Sequence, residues 1–172
     1  MTQECAQLSI GVAKIGSEVS DLKADNNKLY AILDDQEQNA RSQNVRIFGV
    51  EMSDGEDTRK IVMDLLNKKM KCGIKDSEIK KCFRVPAKNP SDKPAAILVQ
   101  FISETSRTAV LVNRKQNPVA GVSVKEDLTK RRLELLHSAV SKYTLKNAWT
   151  LRGNVYVRDN KGIRRINSVS DL

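Results

Sequence analysis

The chain has 172 residues, enough for one ordinary domain or two small ones plus an extension, and its 40% hydrophobic but only 4% aromatic content predicts a mainly aliphatic core. No apolar run approaches the roughly 18 residues of a membrane span, and no basic-then-apolar signal segment opens the chain, so an intracellular protein, cytoplasmic or nuclear, is expected. The formal charge of +9 is unevenly spread: residues 1–40 carry three Lys against seven Asp or Glu (−4), and residues 41–172 carry 27 Lys or Arg against 14 acids (+13).

Such a concentrated positive charge points to a polyanion, nucleic acid before anionic membrane. Cys5, Cys72 and Cys82 form no CxxC pair and the single histidine is His137, which argues against a zinc site within one chain and against a Ser-His or Cys-His nucleophile. GxSxG, P-loop and HExxH strings are absent. We therefore expect neither enzyme, metal nor cofactor, and three reduced thiols.

From residue 8 the apolar positions alternate by four and three. With Leu8, Ile15, Leu22 and Leu29 at d, the a positions are Val12, Val19, Asn26, Leu33 and Ala40, four heptads in phase. Glu18 at g and Lys23 at the following e suit a parallel interface, and a lone Asn at a fixes register at a cost in stability. Gly11 and Gly16 weaken the first heptads. An amphipathic helix packed on its own domain is the competing reading of the stripe. β-Branched residues at a with mostly Leu at d lean toward two strands, but Ile15 and Leu33 leave the chain number open.

At RSQNVRIFGV (41–50) the period changes from helical to two, which predicts a strand over 45–50. Asp57 or Thr58 then caps a helix carrying Ile61, Val62, Leu65, Leu66 and Met70, ending at Cys72-Gly73. A second strand is read at 79–85, a proline-rich hairpin loop at 86–94, a third strand at 95–101, a helix at 103–113 capped by Ser103, and a fourth strand at 122–125. The order βαββαβ is that of a split βαβ domain. A third helix starts near Asp127 or Thr129 with Leu133, Leu136, Ala139, Val140 and Tyr143 as its stripe, followed by short strands at 148–151 and 155–157, a turn at 159–162, and Ile163 and Ile166 before a polar end. The expected fold is α+β in three parts: a coiled coil (1–41), a divergent RNA-recognition-like domain (42–126) and a small α+β domain (127–172).

The acidic heptad helix, RSQNVRIFGV, KPAAILVQF, EDLTKRRLELL and GNVYVRD, in that order, resemble the first-open-reading-frame protein of LINE-type retrotransposons. The last third, from LLHSAV to the end, is similar to the baculovirus few-polyhedra family. The first resemblance implies a multimeric, sequence-tolerant single-stranded RNA- or DNA-binding protein with nucleic-acid chaperone activity, packaging a retroelement or viral ribonucleoprotein, and a trimer where the heptads lean to a dimer. The second implies a structural adaptor acting in virion or occlusion-body production through protein partners.

An ordinary RNA-recognition motif stacks bases on aromatics of its third strand. Here those positions hold Ala96 and Leu98, so affinity is expected to come from phosphate neutralisation. The candidate contacts are Arg41 and Arg46 at the helix-to-strand junction; Arg84, Lys88 and Lys93 around the proline-rich loop; Lys130, Arg131 and Arg132 at the start of the third helix; and Arg152, Arg158, Lys161, Arg164 and Arg165 on the C-terminal turns. The LINE resemblance implies RNA binding for the basic pair after Asp127-Leu128. Trp149 and Tyr156 among those arginines form a stacking platform interleaved with charge. Phe48 either stacks a base or is buried. The expected picture is a cleft between the two small domains that holds the backbone while Trp149 or Tyr156 stacks bases. Leu8, Val12, Ile15, Val19, Leu22, Asn26, Leu29 and Leu33 are the expected oligomerisation residues.

Overall fold

The computed structural model describes residues 2–86 and 94–172, with side chains from Gln7 onward. The proline-rich loop read at 86–94, with Lys88 and Lys93, therefore lies almost wholly outside the described residues. The chain divides into two compact units, Met1–Asn39 and Ala40–Leu172.

The first unit is one helix, α1 (Thr2–Ala40). Its aliphatic a and d side chains, from Leu8 to Leu33, are 42–69% exposed, and Asn26 among them is exposed as well. No helix among the described residues is long and apolar enough to cross a membrane.

The second unit is α+β with two antiparallel sheets. Its first half runs β1 (Asn44–Phe48), α2 (Thr58–Asp64), β2 (Ile79–Arg84), β3 (Ile97–Phe101), α3 (Glu104–Gln116) and β4 (Ser123–Glu126), and the strands lie side by side as β2-β3-β1-β4. Alternation decides which face is buried: Val45 and Ile47 of β1, Ile97, Val99 and Phe101 of β3 and Val124 of β4 turn one way and pack with Val62, Leu65, Leu66, Met70 and Val110. Asp57 caps α2, its carboxylate accepting the Lys60 amide at 3.1 Å, and Ser103 caps α3 by accepting the Ser106 amide at 3.2 Å. Beyond Asp64, α2 passes into a π turn, Leu65–Lys69, that carries its apolar stripe on to Met70. Asn67 in that turn pairs with the Ile74 backbone through both amide atoms, at 2.7 and 2.8 Å, and so fixes the chain after the helix.

The second half is α4 (Lys130–Tyr143), capped by Thr129, and a meander of β5 (Ala148–Leu151), β6 (Asn154–Asp159) and β7 (Gly162–Ile166). Leu135 and Ala139 of α4 pack on Ala148, Val155, Val157 and Ile166. β7 departs from the sequence expectation, because GIRRI has arginines where a strand pattern would show apolar residues; Arg164 is nonetheless held on the sheet by Asp159 at 3.0 Å. The expected stripe of α4 holds in part: Ala139 is buried and Leu136, Val140 and Tyr143 pack against the same cluster, Leu135 joins them, and Leu133 stays exposed; Leu133, Leu136 and Val140 also line a cleft.

Candidate nucleic-acid interface

The face of the first sheet opposite its core is built by the other half of the alternation. Antiparallel register sets Phe83 opposite Leu98, Leu98 opposite Arg46, and Arg46 opposite Lys125, one row across all four strands. Phe48 lies on the same face and is 37% exposed, so of its two sequence readings burial is the one that fails. The Lys125 ammonium stands 5.5 Å from the Phe48 ring centroid, a cation over an aromatic face. Arg46, Phe48 and Lys125 form one wall of a cleft of about 500 Å³; Leu133, Leu136, His137 and Val140 of α4 form another, with Arg114, Leu128, Leu145 and Thr150. The acid in that lining, Glu126, is held by the Arg107 guanidinium and also accepts the Gly153 amide at 3.3 Å.

Among the expected cations, the structure separates those committed inside the fold from those at the surface. Arg41 and Arg46 both reach Asp127, whose side chain is 1% exposed: Arg46 Nε donates to it at 2.5 Å, Arg41 Nη1 at 3.4 Å and Asn44 Nδ2 at 3.0 Å. Arg84 turns inward, donating to both Glu56 oxygens (2.7 and 3.0 Å) and to the carbonyls of Val50, Glu51 and Ala95. Its hydrogen bonds, more than any other influence, pull the Glu56 carboxyl down to about 2. Arg132 is buried, donating to Gly153 O at 3.0 Å and Asn154 Oδ1 at 3.1 Å, so the basic start of α4 presents Lys130 and Arg131 outward while Arg132 ties α4 to the β5–β6 turn. Lys130 approaches Glu134 at 3.8 Å, one helical turn on. Arg164 binds Asp159, the Asp171 carbonyl and the Tyr143 hydroxyl. Arg152, Arg158, Lys161 and Arg165 are exposed.

Trp149 and Tyr156 face each other across β5 and β6, their rings 6.3 Å apart between centroids and 16° from parallel. Arg165 on β7 is opposite Tyr156, and the Arg158 guanidinium lies 5.8 Å from the Trp149 ring centroid. Thr150, next to Trp149, lines the cleft, so Trp149 projects to the other side of β5. The structure thus brings Arg46 and Phe48 together in the cleft, and Trp149, Tyr156, Arg158 and Arg165 together on a separate surface. Lys125, Arg114 and Phe83 were not singled out in the sequence. Alternation along β4 marks Lys125, but an irregularity between Ile79 and Lys81 shifts the phase of β2, so only the sheet register puts Phe83 in one row with Lys125 and Arg46.

The chain matches no protein-family model, and no curated protein matches it.

Proposed function

We propose that the chain is a self-associating protein that binds single-stranded RNA or DNA with little regard to sequence and acts as a nucleic-acid chaperone, without catalysis, in an intracellular ribonucleoprotein of the retroelement or viral kind. The observation that carries this reading is the cleft: the exposed Lys125 stands over an exposed Phe48, with Arg46, held by Asp127, and Arg114, held by the Val124 carbonyl, in the same lining, while the one acid there, Glu126, is occupied by Arg107. Cations neutralise phosphates irrespective of sequence, and an exposed ring accepts any unpaired base. The order of strands and helices from β1 to β4, with neighbours β2-β3-β1-β4, supports an RNA-recognition-like split βαβ domain over 42–126 and a small appended domain over 127–172. The exposed heptad stripe of α1 supports a parallel coiled coil of two or three chains. Coupling several weakly binding heads raises avidity on one strand and leaves each contact free to exchange, which is what annealing and melting of strands require.

The test is the binding of a labelled, unstructured single strand across a salt series, with a duplex as comparator and molar mass by light scattering in the same buffer. A dimer or trimer that prefers the single strand, with a steep salt slope, is expected. Leu22→Pro should yield a monomer that binds long strands much more weakly; equal binding would remove the role given to α1.

One observation favours a second reading, an adaptor of the few-polyhedra type that acts through protein partners: much of the cleft lining is aliphatic, and Leu133 and Leu145 are exposed. Nucleic-acid binding unchanged by Lys130→Ala with Arg131→Ala and by Lys125→Ala would favour it.

A further inference from the structure

The sheet β5-β6-β7 has two faces, and only one of them is used by the core. On the inner face Val155, Val157 and Ile166 are buried with Ala148. On the outer face Trp149, Tyr156 and Arg165 form one row across the three strands, with Arg158 diagonal to Trp149. As a cross-strand pair the two rings add to the stability of the sheet, but they are only half-buried and lie outside the hydrophobic cluster, so their outer surfaces stay open to a ligand. The surroundings are strongly one-signed. Between Thr144 and Ser170 the chain has six Lys or Arg and a single acid, Asp159, which Arg164 holds at 3.0 Å.

We infer that this outer face is a second contact for a nucleic-acid strand, a stacking platform for unpaired bases, separate from the cleft and facing away from it. The inference rests on the nucleic-acid reading above and adds a division of labour to it. In a duplex the faces of the bases are covered by neighbouring pairs, whereas an unpaired base offers a face to Tyr156 or Trp149 while Arg158 and Arg165 meet its phosphates. The cleft, with more cations than rings, supplies charge neutralisation; the platform supplies preference for the unpaired state. Because Thr150 lines the cleft and Trp149 points the other way, a strand that uses both sites would pass around the sheet, for which β5 offers a free edge.

Trp149 is the only tryptophan, so its emission reports on this face alone. The full chain is titrated with a thymidine 20-mer labelled at its end, following anisotropy and tryptophan emission together, and then with an abasic strand of the same length and charge. Expected are quenching of Trp149 by the thymidine strand, little quenching by the abasic strand, and roughly tenfold weaker binding of the abasic strand. Tyr156→Leu, which keeps an apolar side chain on the sheet, should lower affinity for the thymidine strand roughly tenfold and leave that for the abasic strand unchanged. Binding of both strands with equal affinity and unchanged emission would overturn the platform while leaving the nucleic-acid reading intact; absence of any strand binding would overturn both. Quenching by a proline-rich peptide at lower concentration than by the thymidine strand would overturn the platform in favour of a polyproline-helix site, the other ligand that paired aromatic rings on a small sheet accept.

Discussion

Asp127 shows how a single carboxylate can decide what two arginines do. It takes hydrogen bonds from Arg41, Arg46 and Asn44 at almost complete burial, and so holds the residues entering β1 against the residues that lead into α4. Breaking a fully buried pair costs about 3 kcal/mol or more, but both guanidiniums here keep some solvent, so Asp127→Asn should cost about 2 kcal/mol in urea unfolding. Glu56 gives a pH-dependent counterpart. Its pKa falls from the usual 4.5 to about 2 through the hydrogen bonds from Arg84, so the folded state keeps the carboxylate charged where the unfolded chain would take up a proton. The stabilisation is complete above about pH 4.5 and is lost as the pH falls toward 2. Stability measured between those values should decline with acid in the parent and decline less steeply in Glu56→Gln, which starts lower at neutral pH. Cys72 and Cys82 are a third case: burial pushes both thiols up to about 11, so at pH 8 they should react with a maleimide far more slowly than a free cysteine.

At the level of elements, the strand exits matter as much as the strands. Gly49 leaves β1 with φ of +80°, and a Cβ there would stand 1.9 Å from the Gly121 carbonyl oxygen, a backbone atom that cannot swing aside. Gly49→Ala should therefore cost at least ~2 kcal/mol, read as a fall of several degrees in thermal midpoint, by forcing apart the β1 and β4 ends that set Phe48 beside Lys125. Elements with a clean period were legible from sequence: β1, β3, α3 and α4 fall within a few residues of their expected places, with caps at Asp57, Ser103 and Thr129 of the expected kind. What periodicity missed has a physical cause in each case. β7 is polar by composition because Arg164 is neutralised by Asp159, a partner across a hairpin that the strand's own pattern does not contain. The apolar stripe puts the stop of α2 at Cys72-Gly73, whereas its regular turns end at Asp64; a π turn adds one residue to the rotation and keeps Leu65, Leu66 and Met70 buried, so the stripe looks continuous while the helix is not.

For the whole molecule, the segregation of charge was plain in the sequence, but which cations are available was not, since that depends on partners far along the chain. Arg84 is 28 residues from Glu56 and Arg132 is 21 from Gly153, and both are spent inside the fold. The basic residues left outward are consequently fewer than composition suggests, and binding by a single chain should be weak. If the proposed nucleic-acid reading holds, self-association is the quantity on which binding turns, and Asn26 is the residue that tests it. Its neighbours along the heptad stripe are aliphatic and exposed in one chain, so in a coiled coil Asn26 would be the single polar residue at the seam, lowering stability while excluding other registers and chain numbers. Asn26→Leu should raise the thermal midpoint of the helical signal and broaden the light-scattering mass from one multiple of 19.2 kDa to several. Long strands, which several heads can share, should then bind the mixed assemblies with more than one apparent affinity, while a short strand that fills one head should bind as in the parent. A mass of 19.2 kDa for both proteins would instead show that the stripe of α1 does not pair with a second copy.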